Sequence, residues 1–111
     1  MAYDQDLANR IRNLLKSHPD IIEKKMFGGV GFILHGNMAC GILRNELIIR
    51  VEPENQAALL AQTHVRAFTM RAGNPMKGWI QVASEGIASD ADLHKWVEIG
   101  YKYASSLPAK L

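Results

Sequence analysis

The sequence predicts an α+β domain: a mostly antiparallel five-stranded sheet with N- and C-terminal helices packed on it, in the order α-β-β-β-α-β-β-α. Three observations lead there. Apolar residues recur at helical spacing near both ends of the chain, they alternate with period two from Val30 onward, and turn-forming residues cut the alternating stretch at short intervals. The chain has 111 residues, 48% apolar and 22% charged. That fits one domain spanning residues 1–111, able to bury roughly 65% of its unfolded surface.

The first helix starts after Asp4, whose carboxylate suits an N-cap, and carries Leu7, Ile11, Leu14 and Leu15 on one face. It stops at His18-Pro19, because the residue before proline avoids the helical region. "KKMFGGVGFILHGNMAC", residues 24 to 40, follows. Its glycines Gly28, Gly29 and Gly31 are read as a structural turn that steers the chain from the first helix into the sheet, with Met26 and Phe27 near the seam.

From Val30, "GFILHGNMACGILRNELIIRV" gives three strands. Gly36-Asn37 suits a two-residue turn, since glycine supplies positive φ at little steric cost. Arg44-Asn45 is the weaker turn signal, because arginine resists positive φ. With two central residues in each turn, His35 pairs with Met38, Ile33 with Cys40, Ile42 with Leu47, and Cys40 with Ile49. Ile33, Met38, Cys40, Ile42, Leu47, Ile49 and Val51 then form the core face, with His35 at its rim. Phe32, Leu34, Ala39, Gly41, Leu43, Glu46, Ile48 and Arg50 form a mixed reverse face. A one-residue slip at Arg44-Asn45 would exchange the faces of the third strand.

Pro53 opens a short helix containing Ala57, Leu59 and Leu60. "RAFTMR" and "GWIQVA" are two further strands joined by "AGNPMK", which is full of turn formers. Ser89 and Asp92 resemble a capping box at the start of the final helix. Leu93, Trp96, Val97, Gly100, Ala104 and Leu107 make its apolar stripe, and Pro108 closes it.

Composition narrows the function classes. The net charge is +2, from 13 basic and 11 acidic residues. The basic residues are scattered, whereas a dedicated nucleic-acid binder groups them into a stripe. A single cysteine makes no internal disulfide. No apolar run approaches the roughly 20 residues of a membrane span, and "MAYDQDLANR" is too polar for a secretory signal. The expectation is a soluble cytoplasmic protein without membrane partner, cofactor or metal.

The candidate chemistry is thin. A dinucleotide fingerprint needs a strand before its glycines and a helix after them, and a P-loop needs Gly-Lys-Ser/Thr; neither context surrounds Gly28–Gly31. Cys40 and His35 lie diagonally on adjacent strands in the register above, within side-chain reach, which is the geometry of a Cys-His nucleophile. The apolar neighbours of Cys40 favour an inert core thiol instead. His18, His35, His64 and His94 lack the spacing of a helical metal site. His94 and Glu98 form an i, i+4 helix pair, and Asp90 and Asp92 complement a helix dipole.

"KKMFGGVGFILHGNMACGIL", "ELIIRV", "MKGWIQV" and "DLHKWVEIGYKYASSLP" together resemble the N-terminal domain of the TfoX/Sxy competence regulators, from about Met26 to Pro108. The most specific elements are Met26-Phe27-Gly28-Gly29 with Gly31, the Gly78-Trp79 strand, and Trp96. The resemblance implies an α+β domain from bacterial proteins linked to natural transformation. Full-length members act as coactivators of competence genes and carry a second, C-terminal domain. A chain ending at Leu111 is expected to be a single-domain member, and the family supplies no catalytic residues to carry over.

The expected function is therefore a non-catalytic regulatory and protein-interaction module whose partner is another protein or a second copy of itself. Its contact surface is expected on the mixed face, at Phe32, Leu34, Leu43, Ile48, Arg50 and Trp79. Large apolar side chains there would make a patch of several hundred Å², the scale that marks a docking surface. The alternative is a small enzyme or ligand-binding protein with a pocket between the Gly28–Gly31 turn, His35, Lys77 and Trp79. A weaker third reading is direct DNA contact through Lys24, Lys25, Arg50 and Lys77.

Overall fold

A computed structural model describes residues 3–26, 28–69 and 75–109. Helix α1 (Gln5–Leu14) begins where the Asp4 carboxylate accepts hydrogen bonds from Asp6 N at 2.9 Å and Leu7 N at 3.2 Å. A 3-10 turn (Leu15–Ser17) ends it ahead of Pro19. Four strands follow: β1 (Ile21–Met26), β2 (Gly29–Leu34), β3 (Asn37–Leu43) and β4 (Glu46–Arg50). A 3-10 turn opened by Pro53 leads into the short helix α2 (Gln56–Leu60), then β5 (Val65–Thr69), β6 (Pro75–Val82) and the long helix α3 (Asp90–Ser106). Ser89 caps α3 by accepting from Asp92 N at 3.1 Å. None of these helices is long and apolar enough to cross a membrane.

The sheet has six strands rather than the expected five, in the order β1-β2-β3-β4-β6-β5, with every neighbouring pair antiparallel. The additional strand is β1, "IIEKKM". It escapes a pattern reading because it lies at an edge and its middle is Glu-Lys-Lys. The glycine cluster accordingly does not join a helix to the sheet; it closes a β1–β2 hairpin in which Met26 faces Gly29. Only Gly28 sits in that turn, at φ 76°, while Gly29 and Gly31 belong to β2. Phe27 and the residues 70–74 of the expected strand and turn lie outside the described residues. Pro75, Met76 and Lys77, expected in a turn, are strand residues of β6.

The β3–β4 register is the expected one: Ile42 faces Leu47, Cys40 faces Ile49, and Arg44 takes positive φ at 59°. The β2–β3 register is corrected. The turn residues are His35 and Gly36, at φ 49° and 83°, so Leu34 faces Asn37. Asn37 is not a turn residue but is buried, with its Nδ2 donating to Pro108 O at 2.9 Å. A bulge then leaves Ala39 unpaired, and Phe32 comes to face Cys40.

The core consequently contains Val30, Phe32, Cys40, Ile42, Leu47, Ile49, Val51, Ile80 and Val82 from the strands. Leu7, Ala8 and Ile11 of α1 and Leu93, Trp96 and Val97 of α3 close over them. Gly100 lets α3 approach until an added Cβ would overlap the Ala39 carbonyl oxygen. A smaller cluster of Leu34, Ala39 and Ala104 extends the same layer. Arg10 fastens α1 to the start of α3 by donating to Ile87 O at 2.8 Å.

Candidate functional site

Both long helices pack on one face of the sheet, and the reverse face carries an apolar groove of about 140 Å³. Every strand contributes to it: Met26 from β1, Gly29 and Val30 from β2, Met38, Ile42 and Leu43 from β3, Ile48 from β4, Phe68 from β5, Met76 and Trp79 from β6. No charged side chain is among these residues. Phe68 and Trp79 form its aromatic end, with ring centroids 6.2 Å apart.

Three glycines lie beneath this face, and one of them, Gly29, lines the groove. A Cβ on Gly29 would overlap the Ile42 carbonyl oxygen, so this glycine permits close strand approach. Above Gly31 lie the terminal methyls of Met26 and Met38, 3.2 and 3.3 Å from where a Cβ would stand. The same Met38 methyl covers Gly41. Unbranched methionines fill such shallow ground and re-form easily around a partner.

Polar groups stand at the margins. Arg50, half-buried at the end of β4, lies between the rings of Trp79 and Tyr103, 5.9 and 5.8 Å from their centroids. At the other end of β4 the Glu46 carboxylate accepts from Arg66 and from Gln81 Nε2, the latter at 2.6 Å.

The expected contact residues divide between the two faces of the sheet. Leu43, Ile48 and Trp79 line the groove and Arg50 borders it. Phe32 and Leu34 do not: each is 2% exposed, beneath the helices. The bulge at Ala39 explains this: moving a two-residue turn by one position shifts the pairing by two and keeps the faces, whereas the extra bulge residue shifts it by one and sets Phe32 rather than Ile33 with Cys40. Their places on the reverse face fall to Ile33 and Met38, which face each other across β2 and β3.

The residues of the alternative pocket are not brought together. Gly28 and His35 occupy turns at opposite ends of β2, roughly 20 Å apart at strand rise. His35 is exposed, its Nε2 3.5 Å from the Asp20 carboxylate. Lys77 is exposed, while Trp79 and Gly29 share the apolar groove. Cys40 is fully buried against Phe32 and Ile49, and burial pushes its thiol up to about 12, far from a nucleophile's range. His94 and Glu98 do pair along α3, at 3.5 Å. The pattern did not foresee that His18 also reaches Glu98, at 3.6 Å, and stacks on Tyr101 with centroids 3.8 Å apart. Among the described residues no three His, Cys, Asp or Glu side chains converge as metal ligands.

No curated protein and no solved structure matches the chain. The family described as the TfoX N-terminal domain matches residues 13–104. That span takes in β1 through β6 and nearly all of α3, including every residue of the groove. The chain belongs to the TfoX N-terminal domain family.

Proposed function

We propose that this domain is a non-catalytic regulatory module that binds a protein partner through the open face of its sheet, in the setting of competence and DNA transformation that the family suggests. The observation that carries the reading is the groove itself: apolar, built by all six strands, and lined by no helix residue. Its size also favours a protein partner. Small-molecule sites run to roughly 300 Å³ and above, whereas about 140 Å³ accommodates one large apolar side chain. An anchor side chain seated on an aromatic and methionine surface, with Arg50 at the rim, is how interaction hot spots are made.

Affinity capture from the native cell tests this with two variants. Leu43→Glu places a charge in the groove without touching the core, and Lys102→Glu changes an exposed site on α3. Loss of a partner with Leu43→Glu and its retention with Lys102→Glu is the expected result. Identical capture by both variants would remove the open face from consideration.

A further inference from the structure

We propose that β1 is a self-pairing edge: two copies of this chain join antiparallel along β1, centred on Lys24, into one continuous twelve-stranded sheet. This inference does not depend on what occupies the groove. It rests on three features of the strand.

First, β1 is the regular edge of the sheet. Its six residues pair with β2 without interruption, from Ile21 opposite Leu34 to Met26 opposite Gly29. The other edge strand, β5, is five residues long and breaks register between Ala67 and Thr69. Such irregularity is one way an edge is protected from pairing, and β1 lacks it.

Second, the free backbone groups of β1 fall in the right places. In an antiparallel pair, successive residues point their N–H and C=O groups alternately toward and away from the neighbour. Ile21 donates its N–H to His18 O at 3.1 Å, hence away from β2. Glu23 and Lys25 follow in phase, so their N–H and C=O groups face the open edge. A two-fold axis at Lys24 sets Glu23 of each copy opposite Lys25 of the other and forms four hydrogen bonds from these groups alone. A register centred on Ile22 would need the Ile21 N–H, which is already engaged.

Third, the side chains match in this register. Glu23 meets Lys25 on the helix side, and Ile22 meets Met26 on the open face. Ile22 is 60% exposed, unusual for a large apolar residue. Glu23 is already oriented, because Arg12 donates to both of its carboxylate oxygens at 2.7 and 2.6 Å; a carboxylate has lone pairs left for a second cation. The one unfavourable contact is Lys24 against Lys24, and long lysine side chains can splay into water.

The test is sedimentation equilibrium of the full chain over a concentration series, with three variants. Lys25→Pro removes an outward N–H and leaves the β2 side of the strand intact, as edge strands allow; it should be monomeric with unchanged circular dichroism. Lys25→Glu sets Glu opposite Glu23, and Glu23→Lys sets Lys opposite Lys25. Each should weaken self-association roughly tenfold, since two attractive cross-strand pairs become repulsive. Mixing those two proteins re-creates two opposite-charge cross-strand pairs and should restore a dimer, as heterodimer. That result is specific to a centre at Lys24 and does not require Lys25→Pro to fold. A wild-type chain that stays monomeric up to about 1 mM overturns the proposal. So does a dimer indifferent to the charge exchange, because it must use another surface.

Discussion

The two faces of the sheet are built from alternate residues of the same strands, yet they obey different rules. On the helix side, Phe32, Ile42, Leu47, Ile49 and Ile80 are branched or aromatic, at most 2% exposed, and locked between two helices. On the open side, glycines alternate with methionines, and the large side chains Leu43, Phe68 and Trp79 remain half-buried. The first set specifies the fold by dense packing; the second keeps an adaptable surface at little expense to that packing. A strand can carry both properties because its side chains alternate in direction.

The sharpest way to break this contrast is to truncate one residue of each face. Phe32→Ala should cost about 3–5 kcal/mol of unfolding free energy, read by urea denaturation, through the cavity it leaves. Leu43→Ala should cost about 1 kcal/mol or less, because its site is already partly in water. Equal losses would mean that the open face supports the fold as much as the helix side does.

Glycines give the next largest effect and separate two roles within one cluster. Gly29→Ala should destabilise by about 1–3 kcal/mol, since the new methyl meets the Ile42 carbonyl, which cannot swing away. Gly31→Ala should fall within about 0.5 kcal/mol, because only the mobile ends of Met26 and Met38 must yield. Thermal unfolding of the pair decides whether the groove floor is set by backbone contact or by the methionines.

Cys40 tests how tightly the helix side is sealed. With its thiol at about 12, only about one molecule in ten thousand carries a thiolate at pH 8, and that atom is buried. A disulfide-exchange reagent should therefore label the folded protein only as fast as it opens, and label the urea-unfolded chain at an ordinary rate. Fast labelling of the native state would show the core face to be accessible.

The smallest effect concerns the α1–β1 tie. The Arg12 guanidinium holds the Glu23 carboxyl below its ordinary range, chiefly through their hydrogen bonds. A lowered folded-state value means the pair stabilises above the ordinary glutamate range and loses that contribution as pH falls through and below it. Both groups are partly exposed, so the contribution is about 1 kcal/mol at most. Glu23→Gln should lower stability at pH 7 by up to that amount and leave stability at pH 2 unchanged, as thermal melts at the two values would show.

Much of this arrangement is legible in the sequence. The caps at Asp4 and Ser89, the stripe from Leu93 to Ala104, and the β3–β4 register follow from local patterns, and they are where the structure agrees with them. Two features were not legible, for physical reasons. β1 shows no alternation because an edge strand outside the helix layer has little to bury; its middle four residues are all exposed. The β2–β3 turn was displaced by one residue because Asn37 resembles a turn former. Its side chain is instead committed to Pro108, 71 residues away, a tertiary contact that no local pattern encodes. Histidine tolerates the left-handed region well enough for His35 to take the vacated position. The bulge at Ala39, rather than the displaced turn, moved Phe32 and Leu34 off the candidate surface.

Met26, Met38 and Met76, brought together from three strands, give the open face a chemical sensitivity of its own. Oxidants convert exposed thioethers to sulfoxides, which are polar and chiral, and reductase enzymes reverse the change. Peroxide would thus wet the floor of the groove while leaving the sealed helix side untouched. The open face would change its chemical character well before the fold lost its shape.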